Sequence, residues 1–186
     1  MESCQSLSNR SPGRRILSTD RRLGASDESI LAVQSNLANT YQLLGRLEDA
    51  LRLRRDVYSA TLRLHGEERE ATLIEAKNYA NSLLALHRFE EVKPLLRKTV
   101  PVARRVLGAN DENTLRMRQY YALALSWDPD ATLDDLREAV ATLEDAGRIA
   151  RRLLGGAHPL TVEVDDELRD ARAALRARET PSPGSA

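Results

Sequence analysis

The sequence contains little of what disulfide frameworks and membrane spans require. Its one cysteine, Cys4, has no partner for an intrachain disulfide, so we expect a reducing compartment, the cytoplasm. Residues 1–13 contain no apolar core of a signal peptide. No stretch approaches the roughly 18 apolar residues of a membrane-spanning helix. The sequence therefore predicts no membrane partner.

An excess of charge of one sign is also absent, because Lys and Arg total 28 and Asp and Glu total 28. Bulk attraction to nucleic acid is therefore not expected. Aromatic residues make up only 4% of the chain and charged residues 30%, so the core must be built from Leu, Ala and Val beneath a charged surface. This composition is typical of stacked amphipathic helices.

What the sequence has instead is a pattern that returns after 42 residues. Residues 37–66 run from Leu-Ala-Asn-Thr-Tyr through Gly-Arg to Leu-His-Gly, and residues 79–108 run from Tyr-Ala-Asn-Ser-Leu through His-Arg to Val-Leu-Gly. A third copy ends at Gly155 after an interval of 47, because residues 127–131 include an insertion of five. A unit that cannot bury its apolar face alone must stack on a copy of itself, so the period predicts a solenoid.

Within each unit the apolar spacing is helical, and a turn near the middle divides it into two helices. Glycines that can close a helix in the left-handed conformation recur at Gly24, Gly66, Gly108 and Gly155. Basic residues that complement the helix dipole precede them at Arg21, Arg63, Arg105 and Arg152. Thr132 and Asp135 match a capping box, and Pro101 is expected to kink its helix.

These signals predict an all-α solenoid of three antiparallel helix hairpins, with a partial unit before them and a capping helix after them. The predicted repeat domain is 14–179, and its units are placed at about 27–66, 69–108 and 111–155, with the capping helix at 159–179. Residues 1–13 are rich in Ser, Asn and Arg, and residues 180–186 are rich in Pro, Ser and Gly. We expect both segments to be disordered tails.

The order of the motifs resembles the long tetratricopeptide repeats of kinesin light chains. The resemblance is carried by Asn-Leu-Ala with a following Tyr, Gly-Arg, two acids and Ala, and Arg-x-Leu-Gly, best in residues 36–66 and 78–108. His-Pro-Leu-Thr at 158–161 supports it, and it covers roughly residues 23–175. HEAT and armadillo units have a similar period, of about 40 to 47 residues. The small residues Ala38, Ala80 and Ala122 favour the tetratricopeptide superhelix.

Signals of catalysis are weak. His65, His87 and His158 fall at predicted helix ends and turns without metal-ligand spacing, so we predict no metal site. Acid pairs and Arg pairs lie where helix starts and ends explain them. The sequence therefore predicts no catalytic residues, no cofactor and no nucleic-acid partner, and the function it indicates is that of a protein-interaction scaffold.

The first helices of the units carry polar residues that recur at the repeat period, since Asn36 and Asn39 return as Asn78 and Asn81. The resemblance implies that first helices line a concave groove in which such asparagines hydrogen-bond an extended peptide, because an amide both donates and accepts. Alternatively, Asn36 and Asn78 tie one hairpin to the next. The predicted groove residues are Ser35, Asn36, Asn39, Lys77, Asn78, Asn81, Arg116, Gln119 and Tyr120.

Lys77 and Arg116 lie along this predicted groove, so we expect a protein or peptide ligand that carries acidic residues. Two other functions stay open at this point. One is a cargo adaptor like the kinesin light chains, although the sequence contains no sustained heptads for their coiled coil. The other is the repeat portion of a larger regulatory enzyme or signalling protein, although the sequence contains no Gly-x-x-x-x-Gly-Lys phosphate loop.

Overall fold

The computed structural model describes residues 26–180, and within this range the chain forms seven helices and no strand. The helices are α1 (Asp27–Leu43), α2 (Leu47–His65), α3 (Glu70–Ala85), α4 (Phe89–Val106), α5 (Glu112–Ser126), α6 (Leu133–Leu154) and α7 (Pro159–Glu179). Consecutive helices pack together as the hairpins α1/α2, α3/α4 and α5/α6, and α7 packs on the last of them. The predicted all-α solenoid is confirmed.

Some of the predictions fall outside the described residues. They concern Cys4, Gly24 and the segments 1–13, 14–23 and 181–186.

Side chains cap several helix starts. Ser26 caps α1, Asp111 caps α5, and Thr132 forms the expected capping box with Asp135 at the start of α6. His158 caps α7, whose first residue is a proline. Each capped start satisfies backbone N–H groups that have no partner inside the helix.

The two acidic residues that follow Gly66 lie outside α3. The helix begins at Glu70, whereas Glu67 and Glu68 lie in the preceding turn. Both carboxylates instead form ion pairs with α4, Glu67 with Lys98 and Glu68 with Arg105, each at 2.5 Å. These acids therefore connect the turn before α3 to α4.

The turns inside the first two hairpins share a left-handed backbone. Gly45 has φ 72° and His87, at the equivalent repeat position, has φ 55°. Glycine adopts this conformation without strain, while a histidine adopts it at some cost in free energy. The sequence-based equivalence of the two turns therefore holds in the backbone. Helix ends also have positive φ at Gly66, Gly108 and Gly155.

The α4 helix runs without interruption from Phe89 to Val106 although it contains Pro94 and Pro101. Each proline removes one N–H donor from the helix. Both side chains are exposed, so the carbonyl groups left without a helical donor lie on the side where water can reach them. The helix therefore continues through Pro101, and the kink expected there stays a prediction.

The five-residue insertion after α5 forms a fixed turn. Asp128 is buried and pairs with Lys93 of α4 at 2.5 Å, and this hydrogen bond is the main reason why the pKa of Asp128 lies below its ordinary value. Arg178 of α7 donates to the carbonyl oxygens of Pro129, at 3.2 Å, and Ala131, at 3.0 Å. The insertion therefore contacts α4 and α7 instead of extending into solvent.

The core is unevenly distributed along the array. One large cluster of buried apolar residues extends from Leu51 of α2 to Ala171 of α7. A separate small cluster, Ala38, Leu53 and Val57, holds α1 on α2. The first hairpin therefore has its own small core and joins the main core mainly through α2.

We call the contact between one hairpin and the next helix a junction. The first junction joins α1/α2 to α3, the second joins α3/α4 to α5, and the third joins α5/α6 to α7. The odd-numbered helices α3, α5 and α7 pack on one another at the later junctions, whereas α1 and α3 lack extensive contact. None of the described helices combines the length and apolarity needed to cross a membrane.

Candidate functional site

The gap between α1 and α3 forms a cleft, which we call the first cleft. Its N-terminal compartment has a volume of about 770 Å³, with Leu31 and Ala32 on one wall, Ile74 on the other and Val57 of α2 at its base. Its C-terminal compartment has a volume of about 400 Å³ and is lined by Asn39, Gln42, Leu43, Arg54, Asn78 and Asn81. The first cleft therefore has an apolar strip with charged residues beside it towards the N-termini of α1 and α3, and it is amide-rich towards their C-termini.

Arg54 of α2 lies across the floor of the first cleft and connects its two walls. Its Nη1 donates to Ser35 Oγ of α1 at 2.7 Å and to Glu75 Oε2 of α3 at 3.5 Å, and its Nη2 donates to Asn39 Oδ1. Ser35 Oγ in turn donates to Glu75 Oε1 at 2.9 Å. We call these four residues the Arg54 bridge.

The Arg54 bridge is a buried ion pair with its hydrogen-bond partners. The Arg54 side chain is 3% exposed and the Glu75 side chain 14% exposed. Burial lowers the pKa of Arg54, and the Glu75 carboxylate opposes that shift. Removing water from both charges costs free energy, which the attraction between them and their added hydrogen bonds offset.

Sequence reasoning missed Arg54, although the repeat contains a signal for it. At the repeat spacing, Arg54 is equivalent to Leu96 and Leu143, and both leucines are fully buried. Glu75 is likewise equivalent to Met117 and Val164, and both are also buried. The first junction thus has an ion pair at positions where the later junctions have apolar contacts.

Four of the predicted groove residues meet at the first cleft, but they differ in their freedom to bind a ligand. Ser35 and Asn39 belong to the Arg54 bridge, and Asn78 Nδ2 donates to Glu75 Oε2 at 3.5 Å. Asn81 lines the C-terminal compartment, and its side chain has no hydrogen-bond partner among residues 26–180. Asn81 is therefore the amide most available to a ligand.

Asn36 lies apart from the other asparagines. Its side chain is exposed on α1 and lines neither compartment of the first cleft, and its backbone carbonyl accepts a hydrogen bond from Thr40 Oγ1 at 3.2 Å. The predicted ladder therefore does not present all its amides to one space. Its role in ligand binding stays a prediction.

The two predicted groove cations have acceptors within the chain. Lys77 Nζ donates to Asn113 Oδ1 of α5 at 2.7 Å, and burial lowers its pKa. Arg116 forms an ion pair with Glu163 of α7 and donates to Gln119 Oε1 at 3.4 Å. Lys77 therefore contributes to the second junction and Arg116 to the third.

Gln119 and Tyr120 belong to the third junction as well. Gln119 is 2% exposed, and its Nε2 donates to Glu167 Oε1 of α7 at 2.9 Å. Burial raises the pKa of Tyr120, and it raises the pKa of Glu167 from 4.5 to about 7. Glu167 Oε2 is buried and has no hydrogen-bond partner, although the side chain as a whole is partly exposed.

The histidines occupy helix ends and a turn, as the sequence predicts. His158 Nδ1 accepts from the backbone N–H of Leu160 at 3.3 Å, and His65 Nε2 lies 3.6 Å from Glu28 Oε1. Across residues 26–180 there is no group of three or more His, Cys, Asp or Glu side chains that could hold a metal ion. The first cleft is the candidate site that this geometry supports.

Comparison with known proteins identifies the repeat. A family model described as a tetratricopeptide repeat matches residues 30–69, from the first buried residue of α1 to the turn before α3. A solved structure from Podosopora anserina, of a protein assigned as a kinesin light chain with nearly identical TPR-like repeats, superposes with a TM-score of 0.67. This chain has the fold of a tetratricopeptide array.

The tetratricopeptide array is distant in sequence from these structures. Identity to the Podosopora anserina protein is 23%, and the alignment covers 90% of this chain and 79% of that one. BtubC (BKLC) from P. vanneervenii has a TM-score of 0.56 at 15% identity, over 94% of this chain and 74% of that one. No curated protein matches the chain. The similarity to these structures therefore establishes the fold, while the ligand depends on this chain's own residues.

Proposed function

We propose that this tetratricopeptide array binds an extended peptide segment of a partner protein in the first cleft. Tetratricopeptide arrays are scaffolds for interactions between proteins. The observation that carries the proposal is the open space between α1 and α3, at the one described junction where neighbouring odd-numbered helices lack extensive contact.

The chemistry of the first cleft suits a peptide. The free amide of Asn81 can donate to and accept from a peptide backbone. The apolar wall formed by Leu31 and Ile74 can bury side chains of the ligand. The Arg54 bridge fixes both walls, so the ligand meets a surface with little remaining freedom to lose.

An acidic ligand stays a prediction. It rests on Lys77 and Arg116, and a ligand carboxylate would have to compete there with Asn113 and Glu163. The balance of 28 basic and 28 acidic residues favours a protein partner over nucleic acid. The single cysteine supports the cytoplasm as the compartment.

A variant that fills the first cleft tests the proposal. Ala32 is exposed on its wall, and Ala32→Trp would place an indole in the N-terminal compartment. Ala173→Trp is the matched control, because Ala173 is also an exposed helix alanine but lies on α7. The immobilised wild-type chain and both variants would be incubated with a library of randomised nine-residue peptides.

The expected result is that the wild type and the control retain the same peptides and that Ala32→Trp loses them. Bound peptide should also slow hydrogen exchange in α1 and α3, because a ligand in the cleft protects both walls. Peptides that bind Ala32→Trp as tightly as the wild type would show that the binding site lies elsewhere. A chain that retains no peptide would contradict the proposal.

A further inference from the structure

The N-terminal compartment of the first cleft has an apolar strip that no other part of the described chain covers. Leu31 and Ala32 of α1 face Ala71 and Ile74 of α3 across it, and Val57 of α2 closes its base. The volume of about 770 Å³ exceeds what a single side chain fills. This strip selects aliphatic side chains of a ligand, because burying them removes apolar surface from water on both partners.

The compartment also has an acidic rim, formed by Glu28 of α1 and Glu70 of α3. These residues are 42 positions apart, so they occupy equivalent places in neighbouring repeats. Glu28 is 71% exposed, and its Oε1 lies 3.6 Å from His65 Nε2. Glu70 is exposed and has no hydrogen-bond or ion-pair partner in the described part of the chain. Glu70 is therefore free for a ligand, and Glu28 is exposed with one contact, to His65.

The other charges of the compartment leave this acidic excess in place. Glu75 is paired with Arg54, and Glu68 is paired with Arg105, so both are already neutralised within the chain. Arg69 is the one Lys or Arg side chain that lines the compartment. A cation on a ligand therefore meets Glu70, which has no internal partner, and Glu28, which contacts only His65, whereas an acid on a ligand meets one cation, Arg69, beside these carboxylates.

We infer, on the basis of the proposed function, that this compartment selects a peptide in which aliphatic residues alternate with Lys or Arg. In an extended peptide successive side chains point to opposite faces. The aliphatic residues would bury themselves between Leu31 and Ile74, and the neighbouring cations would reach Glu28 and Glu70 at the rim. The charge of the preferred ligand is thus opposite to the charge that Lys77 and Arg116 suggest from the sequence.

Two peptide libraries test the charge preference directly. Both contain nine-residue peptides with randomised Leu, Ile and Val at alternate positions, and the remaining positions hold Lys or Arg in one library and Asp or Glu in the other. The full chain is expected to retain the basic library at least about fivefold better than the acidic one at low salt. This preference should shrink as salt is added, since exposed charges are screened.

Matched variants locate the preference. Glu28→Gln combined with Glu70→Gln is expected to weaken binding of a selected basic peptide about tenfold, because both rim contacts lose their charge. Glu48→Gln combined with Asp170→Asn changes the net charge equally at exposed positions that do not line the first cleft. This control should bind like the wild type. Equal weakening by both pairs would overturn the inference, because general charge attraction would then explain it.

The outcomes separate the inference from the proposed function. Retention of the acidic library, lost in Ala32→Trp, would overturn the charge preference and leave peptide binding in the first cleft intact. If the chain retains neither library and no randomised peptide, both the charge preference and the proposed function are overturned. Retention of the basic library by Ala32→Trp would overturn the assignment to this compartment.

Two occupants within the protein itself are also tested. Residues 14–23 of this chain contain Arg14, Arg15, Arg21 and Arg22 beside aliphatic residues, so they share the chemistry of the inferred ligand. A full-length variant with these four arginines changed to Gln should bind the basic peptide like the wild type, and a tenfold gain would show that this segment competes for the cleft. Sedimentation should show no dimer that Ala32→Trp abolishes. Competition by residues 14–23, or a dimer that Ala32→Trp abolishes, would overturn the inference that the ligand belongs to another protein.

Discussion

The first junction and the later junctions of this array use the same positions differently. Arg54 and Glu75 meet at the first junction, whereas Leu96 and Met117 occupy the equivalent positions at the second. The third junction again places two apolar residues there, Leu143 and Val164. The helices α5 and α7 pack on each other, while α1 and α3 leave a cleft between them.

This difference indicates where a repeat array can provide a binding site. A buried ion pair is seldom more stabilising than the apolar contact that could replace it, because both charges lose water. The later junctions therefore serve mainly to hold the array together. The first junction gives up apolar contact between α1 and α3, and the space that results is where the proposed ligand binds.

The largest expected effect comes from breaking the ion pair on one side. Arg54→Leu leaves Glu75 in a mostly buried site without its cation, so we expect the free energy of unfolding to fall by about 3 kcal/mol. Adding Glu75→Met reproduces the residue pair of the second junction. The double variant should unfold at the wild-type free energy or up to about 2 kcal/mol above it.

Urea unfolding of both single variants and the double variant measures the coupling between the two positions. If the ion pair is what distinguishes the first junction, the coupling free energy between positions 54 and 75 should exceed about 1 kcal/mol. If the double variant is as unstable as Arg54→Leu alone, the first junction cannot accept the apolar contact of the later ones. The difference between the junctions would then have a cause other than these two residues.

A smaller effect is expected at Glu167, the buried carboxyl of the third junction. Because burial raises its pKa to about 7, the folded chain holds this proton more tightly than the unfolded chain, whose carboxyl has the ordinary value of 4.5. The carboxyl therefore lowers stability as pH rises from that value to about 7, and the penalty is complete above it. Glu167→Gln removes the charge and keeps an oxygen for Gln119 Nε2.

At pH 8, Glu167→Gln should raise the free energy of unfolding by about 1 to 3 kcal/mol, and near pH 5 the gain should be small. Thermal unfolding across this pH range measures it. Glu163→Gln is the control, because Glu163 pairs with Arg116 at a more exposed position and its neutralisation should not stabilise the chain. A gain for Glu167→Gln that is equal at both pH values would contradict the account based on the pKa.

The smallest effects on stability distinguish two asparagines of the first cleft. Asn39→Ala removes an acceptor of Arg54, so we expect a loss of about 1 kcal/mol in the free energy of unfolding. Asn81→Ala removes a side chain without a partner in the described residues, so the change should stay within about 0.5 kcal/mol. Peptide binding should nevertheless weaken about fivefold in Asn81→Ala. Equal losses of stability in the two variants would remove the distinction between a structural and a ligand-facing amide.

The parts of the fold that the sequence predicted are those that local chemistry decides. Thr132 and Asp135 are three residues apart, so their capping box could be recognised from the sequence alone. The helix ends at Gly66 and Gly108 follow from the left-handed conformation that glycine favours. The ion pairs of Glu67 and Glu68 could not be recognised in this way, because their partners on α4 are 31 and 37 residues away.

The candidate site was predicted in part. The repeat placed Asn39, Asn78 and Asn81 on first helices, and these residues do line one compartment. The sequence could not show that Asn39 Oδ1 accepts a hydrogen bond from Arg54, because the two side chains meet only when α2 packs on α1. For the same reason, the internal pairing of Lys77 with Asn113 was not visible, and an acidic ligand looked favourable.

The sequence by itself determined the repeat, the all-α architecture and most helix ends, because a 42-residue period, caps and apolar spacing act within single helices or between identical units. Only the tertiary structure decided which polar residues are used up inside the array and which remain free. That outcome depends on distances between side chains on different helices, at the first junction above all. A buried charge such as Arg54 takes whichever acceptors the packing brings within reach, whereas Glu70 and Asn81 have no partner among the described residues.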